Sequence, residues 1–143
     1  MKRLILATIL SVAVAAPAMA GGDWVAPVKD PLTLKECGSC HMAFQPAFLS
    51  ADAWRKMMSN LANHFGDNAE MAPDKVQAIT QYLTANAGGY RRGVSDSKIT
   101  DTAWFARKHR KVAPEVWTRK DVMSRSNCPA CHKQAEQGLY DDD

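Results

Sequence analysis

All four cysteines of this 143-residue chain fall into two pairs, Cys37-Gly38-Ser39-Cys40-His41 and Cys128-Pro129-Ala130-Cys131-His132. Both read C-x-x-C-H, the pattern that attaches a haem of the c type. Two cysteines three residues apart lie about one helical turn from each other, so both sulfurs can reach the two vinyl groups on one porphyrin edge. The histidine that follows then projects under the ring as the proximal iron ligand. Other chemistries fit less well. A thioredoxin-like C-x-x-C wants a βαβ context and leaves the repeated histidine unexplained. A four-cysteine zinc site spaces its pairs roughly 15–20 residues apart, whereas 87 residues separate Cys40 from Cys128. Disulfides within such short loops are strained. The expectation is two covalently bound haem c groups, held by Cys37, Cys40, Cys128 and Cys131, with His41 and His132 on the irons.

The start of the chain sets the compartment. Lys2 and Arg3, the apolar run Leu4 to Ala15 and the small-residue site Ala18-Met19-Ala20 read as a secretory signal peptide over residues 1–20. A spanning helix needs about 20 apolar residues, and this run falls short. Cleavage after Ala20 leaves a chain of 123 residues with no later stretch apolar enough to span a membrane. Without Lys2 and Arg3 the chain has 16 basic and 15 acidic residues, a balance that implies no nucleic-acid partner.

Two histidines remain outside the motifs, His64 and His109, and two sixth iron positions need ligands. His64 lies 23 residues after His41, and His109 lies 23 before His132. His64 is expected near the end of a helix starting at Ser50, on or beside an apolar face of Trp54, Met57, Met58, Leu61 and Phe65. His109 ends a short helix expected from Thr100 or Asp101, with Phe105 one turn before it. Each is weighed against an ordinary core or surface histidine, and the match between spare histidines and open positions favours ligation. Met71, in a loop shortly before Pro73, is the rival ligand for the first haem. Met57 and Met58 read as core filler.

No alternating strand pattern is visible, so the expected fold class is mainly α-helical. After a lead-in with Pro27 and Pro31, helices are expected from Thr33 to Met42, from Ser50, and from Pro73 to the stop at Gly88-Gly89. The polar, glycine-containing stretch from Gly88 to Ser97 marks a boundary between an N-terminal haem domain, residues 21–90, and a C-terminal one, 91–143. The second motif is expected on a helix capped by Asn127 and stopped by Gly138. Trp104 and Trp117 read as haem-packing or core residues. The basic run Arg107 to Lys111, with Arg119, Lys120 and Arg125, reads as a solvated face, a propionate partner or a steering surface. Asp141 to Asp143 reads as a solvated terminus.

With these residues in view, the chain resembles the small periplasmic dihaem cytochrome c (DHC) family. The resemblance is carried by Glu36 to Phe44 around the first motif, Trp54-Arg55-Lys56-Met57-Met58 leading to His64-Phe65-Gly66, Ile79 to Ala87, Trp104 to Arg110, and Asn127 to His132. It covers nearly all of the mature chain. It implies a class I-like N-terminal haem region, a smaller C-terminal haem region and bis-histidine irons. It also implies an electron carrier fed by a membrane b-type cytochrome and serving a high-spin monohaem cytochrome c. His64 and His109 are the matched distal positions, and nearness in sequence assigns them to the first and second haem respectively.

The resulting expectation is a periplasmic electron carrier and not an enzyme. A six-coordinate iron between two fixed imidazoles leaves no position for substrate. The alternative is a haem protein with one open iron site that binds or reduces a small ligand.

Overall fold

The computed structural model describes residues 24–88 and 97–140. The expected signal peptide, most of the expected boundary segment and the terminal aspartates lie outside the described residues. Among those described, four α-helices alternate with 3-10 turns, and the only β-pairing is two isolated bridges, Trp24 with Leu139 and His64 with Asp67.

Helix α1, Pro31–Cys37, begins where Asp30 accepts hydrogen bonds from the Thr33 backbone N–H (2.7 Å) and hydroxyl (2.8 Å). Proline at the first helical position loses no needed donor. The helix is shorter than the expected span from Thr33 to Met42. It closes at Cys37, where the Gly38 N–H donates to the Leu34 carbonyl at 3.0 Å, so only the first cysteine is helical.

Helix α2, Ala51–Met58, is capped by Ser50, whose hydroxyl accepts from the Ala53 N–H, with Asp52 in its positive first turn. Helix α3, Pro73–Ala85, starts on the expected proline and ends two residues before the expected last position, Ala87. These two helices pack on each other. Ala53, Trp54 and Met58 from α2 meet Ile79 and Leu83 from α3, with Leu49 and Leu61 completing the cluster. Ile79 and Leu83 are four apart and so share a helix face. Fully burying side chains of this size contributes roughly 1.5–3 kcal/mol each. The Trp54 indole N–H finds the Pro46 carbonyl at 2.7 Å, which satisfies the one polar atom that burial would otherwise strand.

The second half is built differently. Its one α-helix among the described residues, α4 (Ala103–Lys108), is capped by Thr102, whose hydroxyl accepts from the Phe105 N–H at 3.1 Å. A separate 3-10 turn, Ile99–Asp101, occupies the expected helix start, because Thr102 leaves the helical region to serve as the cap. The expected helix around the second motif is replaced by two 3-10 turns, Cys128–Ala130 and Ala135–Gln137. Asn127 does not cap it: its side-chain amide donates instead to the Val122 carbonyl at 2.9 Å.

The two halves are tied to each other by contacts far apart in sequence. The Val25 N–H donates to the Gly138 carbonyl at 2.8 Å. The fully buried Gln45 amide donates to the Ala135 carbonyl at 2.7 Å, and Phe48 lies against both Trp104 and Tyr140.

Candidate functional site

The first motif spans the end of α1 and the turn after it, so Cys37 is half-buried while Cys40 is exposed. In the second motif Cys128 is half-buried and Cys131 exposed, and the N–H groups of Cys131 and His132 both turn back to the Cys128 carbonyl, at 3.1 and 2.8 Å. None of the four is paired in a disulfide. Burial pushes the Cys37 thiol up to about 11, with the Glu36 and then the Asp30 carboxylate adding to the effect. Burial likewise pushes Cys128 up to about 11.

The structure brings the four histidines together in two pairs. The ring centres of His41 and His64 are 6.1 Å apart, with planes 18° from parallel. Those of His109 and His132 are also 6.1 Å apart, with planes at 80°. A metal–imidazole bond is about 2 Å and the bonded nitrogen lies about 1 Å from its ring centre, so two imidazoles on opposite sides of one metal sit about 6 Å apart. Both spacings fit one iron per pair, with a porphyrin supplying the four remaining nitrogens.

Protonation follows from the hydrogen bonds. His41 Nδ1 lies 2.7 Å from the Met42 carbonyl, and His109 Nδ1 lies 2.9 Å from the Phe105 carbonyl. A carbonyl only accepts, so each Nδ1 carries the proton and each Nε2 keeps its lone pair for a metal. Nδ1 of His64 and of His132 is buried without a hydrogen-bond partner among the described residues. Burial, and then the neighbouring His41, hold His64 below the ordinary histidine value, which favours the neutral imidazole.

His64 does not end the α2 helix, which stops at Met58. It follows a 3-10 turn, Leu61–Asn63, and its N–H and carbonyl pair with Asp67 across a tight loop. Phe65 (φ +56°) and Gly66 (φ +108°) are both left-handed there, and the Gly66 N–H donates to the Asn63 side chain at 3.2 Å. Met71 packs against the α2–α3 core, and the ring facing His41 is that of His64. His109 is the residue that closes α4, stacked on Phe105 at 4.0 Å and edge-on to Trp117 at 5.6 Å. Trp104 lies against Phe48, between the two halves.

Two neighbours of the histidine pairs have no signal in the sequence. Tyr140 sits 5.4 Å from the His132 ring and donates its hydroxyl to the Gln45 side-chain oxygen at 2.6 Å. Gln45 joins it from the loop after the first motif. Phe44, 4.8 Å from His41, is foreshadowed only by its place beside that motif.

A small helical chain that carries two C-x-x-C-H motifs, each with a facing histidine pair, defines a c-type cytochrome built for two haems. A family model of dihaem cytochrome c matches residues 33–140. The chain belongs to the dihaem cytochrome c family, and its cofactors are accordingly two covalently bound haem c groups. Two solved structures of DHC from Rhodobacter sphaeroides resemble it. One is 41% identical over 79% of this chain and 98% of that one, with a TM-score of 0.71. The other is 39% identical over 80% and 99%, with a TM-score of 0.72. The dihaem cytochrome c from Shewanella baltica OS155 is 40% identical over 78% of this chain and 86% of that one, with a TM-score of 0.69. A search of curated proteins finds no match. No helix among the described residues is long and apolar enough to cross a membrane.

Proposed function

We propose that this chain is a periplasmic electron carrier with two bis-histidine haems, His41 and His64 on the first iron and His109 and His132 on the second. The observation that carries the reading is the equal 6.1 Å spacing of the two histidine pairs. Each pair offers two imidazoles, and among the described residues no cluster of three or more His, Cys, Asp or Glu side chains could hold a metal ion.

A bound haem supplies one-electron chemistry at its iron, and bis-histidine ligation sets a lower potential than His/Met ligation does. The chain does the rest. The Met42 and Phe105 carbonyls fix the tautomer and orientation of His41 and His109. Phe44, Phe105, Trp117 and Tyr140 wall the rings with apolar surface. Gln45 and Tyr140 hold the two halves, and with them the two sites, in one frame. The signal-like leader and the resemblance to DHC support a periplasmic location. That resemblance also supports a membrane b-type cytochrome as electron source and a high-spin monohaem cytochrome c as recipient.

Absorption and low-temperature EPR of the haem-loaded protein, with and without carbon monoxide, test the reading. Two low-spin signals and an unchanged ferrous spectrum under carbon monoxide are expected. Replacing His64 or His109 by Ala should then turn one haem high-spin and leave the other low-spin. A high-spin signal in the unaltered protein, or carbon monoxide binding to it, overturns the closed carrier in favour of a ligand-binding haem protein. His64 is where that alternative would show first, since it rides on an exposed turn.

A further inference from the structure

Charge is distributed unevenly along the sequence. Residues 21–90 carry five Lys and Arg against seven Asp and Glu, a net of −2, whereas residues 91–143 carry eleven against eight, a net of +3. A ferric haem with two propionates contributes about −1, so the second region keeps a net positive charge when loaded. Arg107, Lys108, Arg110 and Lys111 cluster at the end of α4, on either side of His109, and are exposed. Lys120 and Arg125 are exposed on the loop that leads to the second motif.

Two further observations connect this surface to the second histidine pair. The Arg125 guanidinium lies 5.5 Å from the centre of the Trp117 ring, and Trp117 lies edge-on to His109 at 5.6 Å. One aromatic ring therefore separates the basic surface from an iron-facing imidazole. Between Lys120 and Arg125 stands Met123, 74% exposed and left-handed at φ +63°. Its N–H donates to the Arg119 carbonyl at 2.7 Å, which holds this strained conformation with the side chain turned to solvent. An apolar tip within a charged rim is the usual composition of a transient docking face.

We propose that the face formed by the end of α4 and the 119–125 loop docks an acidic redox protein, and that electrons cross between the two at the second haem site. The partner is a protein whose cofactor edge is ringed by Asp and Glu. One electron passes between the two cofactors, oxidising one and reducing the other, and no bond forms or breaks. This rests on the electron-carrier reading and adds to it which of the two sites meets the partner.

The test follows reduction of the oxidised holoprotein in a stopped-flow instrument by reduced plant-type ferredoxin, an acidic donor of about −400 mV. The second-order rate is expected to fall at least tenfold as salt rises from about 10 to about 300 mM. At low salt the triple variant Arg107→Glu/Lys111→Glu/Lys120→Glu should lose a further tenfold. The triple variant Lys29→Glu/Lys35→Glu/Lys56→Glu changes net charge equally on the other half and should lose less than threefold. Dithionite should reduce all three proteins at rates within twofold of each other. Its failure to reduce the unaltered protein would count against the carrier reading itself. Equal slowing by both triples, or a rate indifferent to salt, overturns the docking face. So does a drop in rate that tracks a shifted midpoint of the second haem, since the basic residues would then be propionate partners. Salt-sensitive binding to phosphatidylglycerol vesicles, lost in the first triple while ferredoxin reduction is unchanged, would assign the face to a membrane instead. Should the first triple fail to fold, Lys111→Gln and Lys120→Gln singly are expected to lose about threefold each, and no loss overturns the proposal.

Discussion

The phenol of Tyr140 donates to the side-chain oxygen of Gln45, 95 residues earlier, at 2.6 Å. Gln45 is fully buried, and its amide is spent on the Ala135 carbonyl at 2.7 Å. One side chain from the loop after the first C-x-x-C-H thus satisfies two groups from the segment after the second. A buried group left without its partner costs about 1–3 kcal/mol. Gln45→Ala strands both partners and is expected to destabilise the holoprotein by about 2–4 kcal/mol. Tyr140→Phe strands only the glutamine oxygen and should cost about half as much. Guanidinium denaturation of both variants checks the ratio, and equal or negligible losses would show that this link does not join the halves.

The two histidine pairs differ in the angle between their rings, 18° for His41 and His64 against 80° for His109 and His132. Parallel imidazoles split the two iron dπ orbitals by donating into the same one, while perpendicular imidazoles leave them nearly equal. Low-temperature EPR should therefore resolve an ordinary rhombic low-spin signal from the first haem and a strongly anisotropic one, with a much larger highest g value, from the second. His109→Ala is expected to remove the anisotropic signal and leave the rhombic one. Two superimposable rhombic signals would contradict the ring geometry.

Gly138 is left-handed at φ +82°, and a Cβ built on it would run into the Val25 carbonyl oxygen. Its own carbonyl accepts from the Val25 N–H at 2.8 Å, beside the bridge between Trp24 and Leu139. Gly138→Ala meets a backbone conflict and a conformational one together, each of which costs on the order of 1 kcal/mol. The holoprotein melt should drop by about 4 °C or more. An unchanged melting temperature would mean that the segment from Trp24 is not held against the end of the chain.

Asp30 caps the helix that ends in Cys37 and also holds the buried Thr33 hydroxyl. Asp30→Ala is expected to cost about 1–2 kcal/mol. Asp30→Asn keeps an accepting oxygen and should recover most of the loss. A calorimetric series of the three proteins decides it, and indistinguishable melts would show the cap to be energetically idle.

Much of the site was legible because covalent attachment is a local matter. Two cysteines three apart with a histidine next to them need only a short turn, whether α-helical as at Cys37 or 3-10 as at Cys128–Ala130. The spacing therefore pointed to two haems although the expected motif helix was too long in the first case and absent in the second. The helix starts near Ser50 and at Pro73 and the apolar stripe of α2 were likewise readable, since they depend on neighbours within a turn or two. His64 and His109 stood out by arithmetic, as two spare histidines for two open positions. Only packing decided what faces what. The 6.1 Å separations and the 18° and 80° ring angles depend on how distant segments meet, whereas the Met42 and Phe105 carbonyls are local partners, one and four residues away from His41 and His109. His64 reaches its place from a left-handed turn that helical periodicity does not signal. The link from Gln45 to Tyr140 has no local signature at all, because a glutamine and a tyrosine 95 positions apart become partners only when the chain folds.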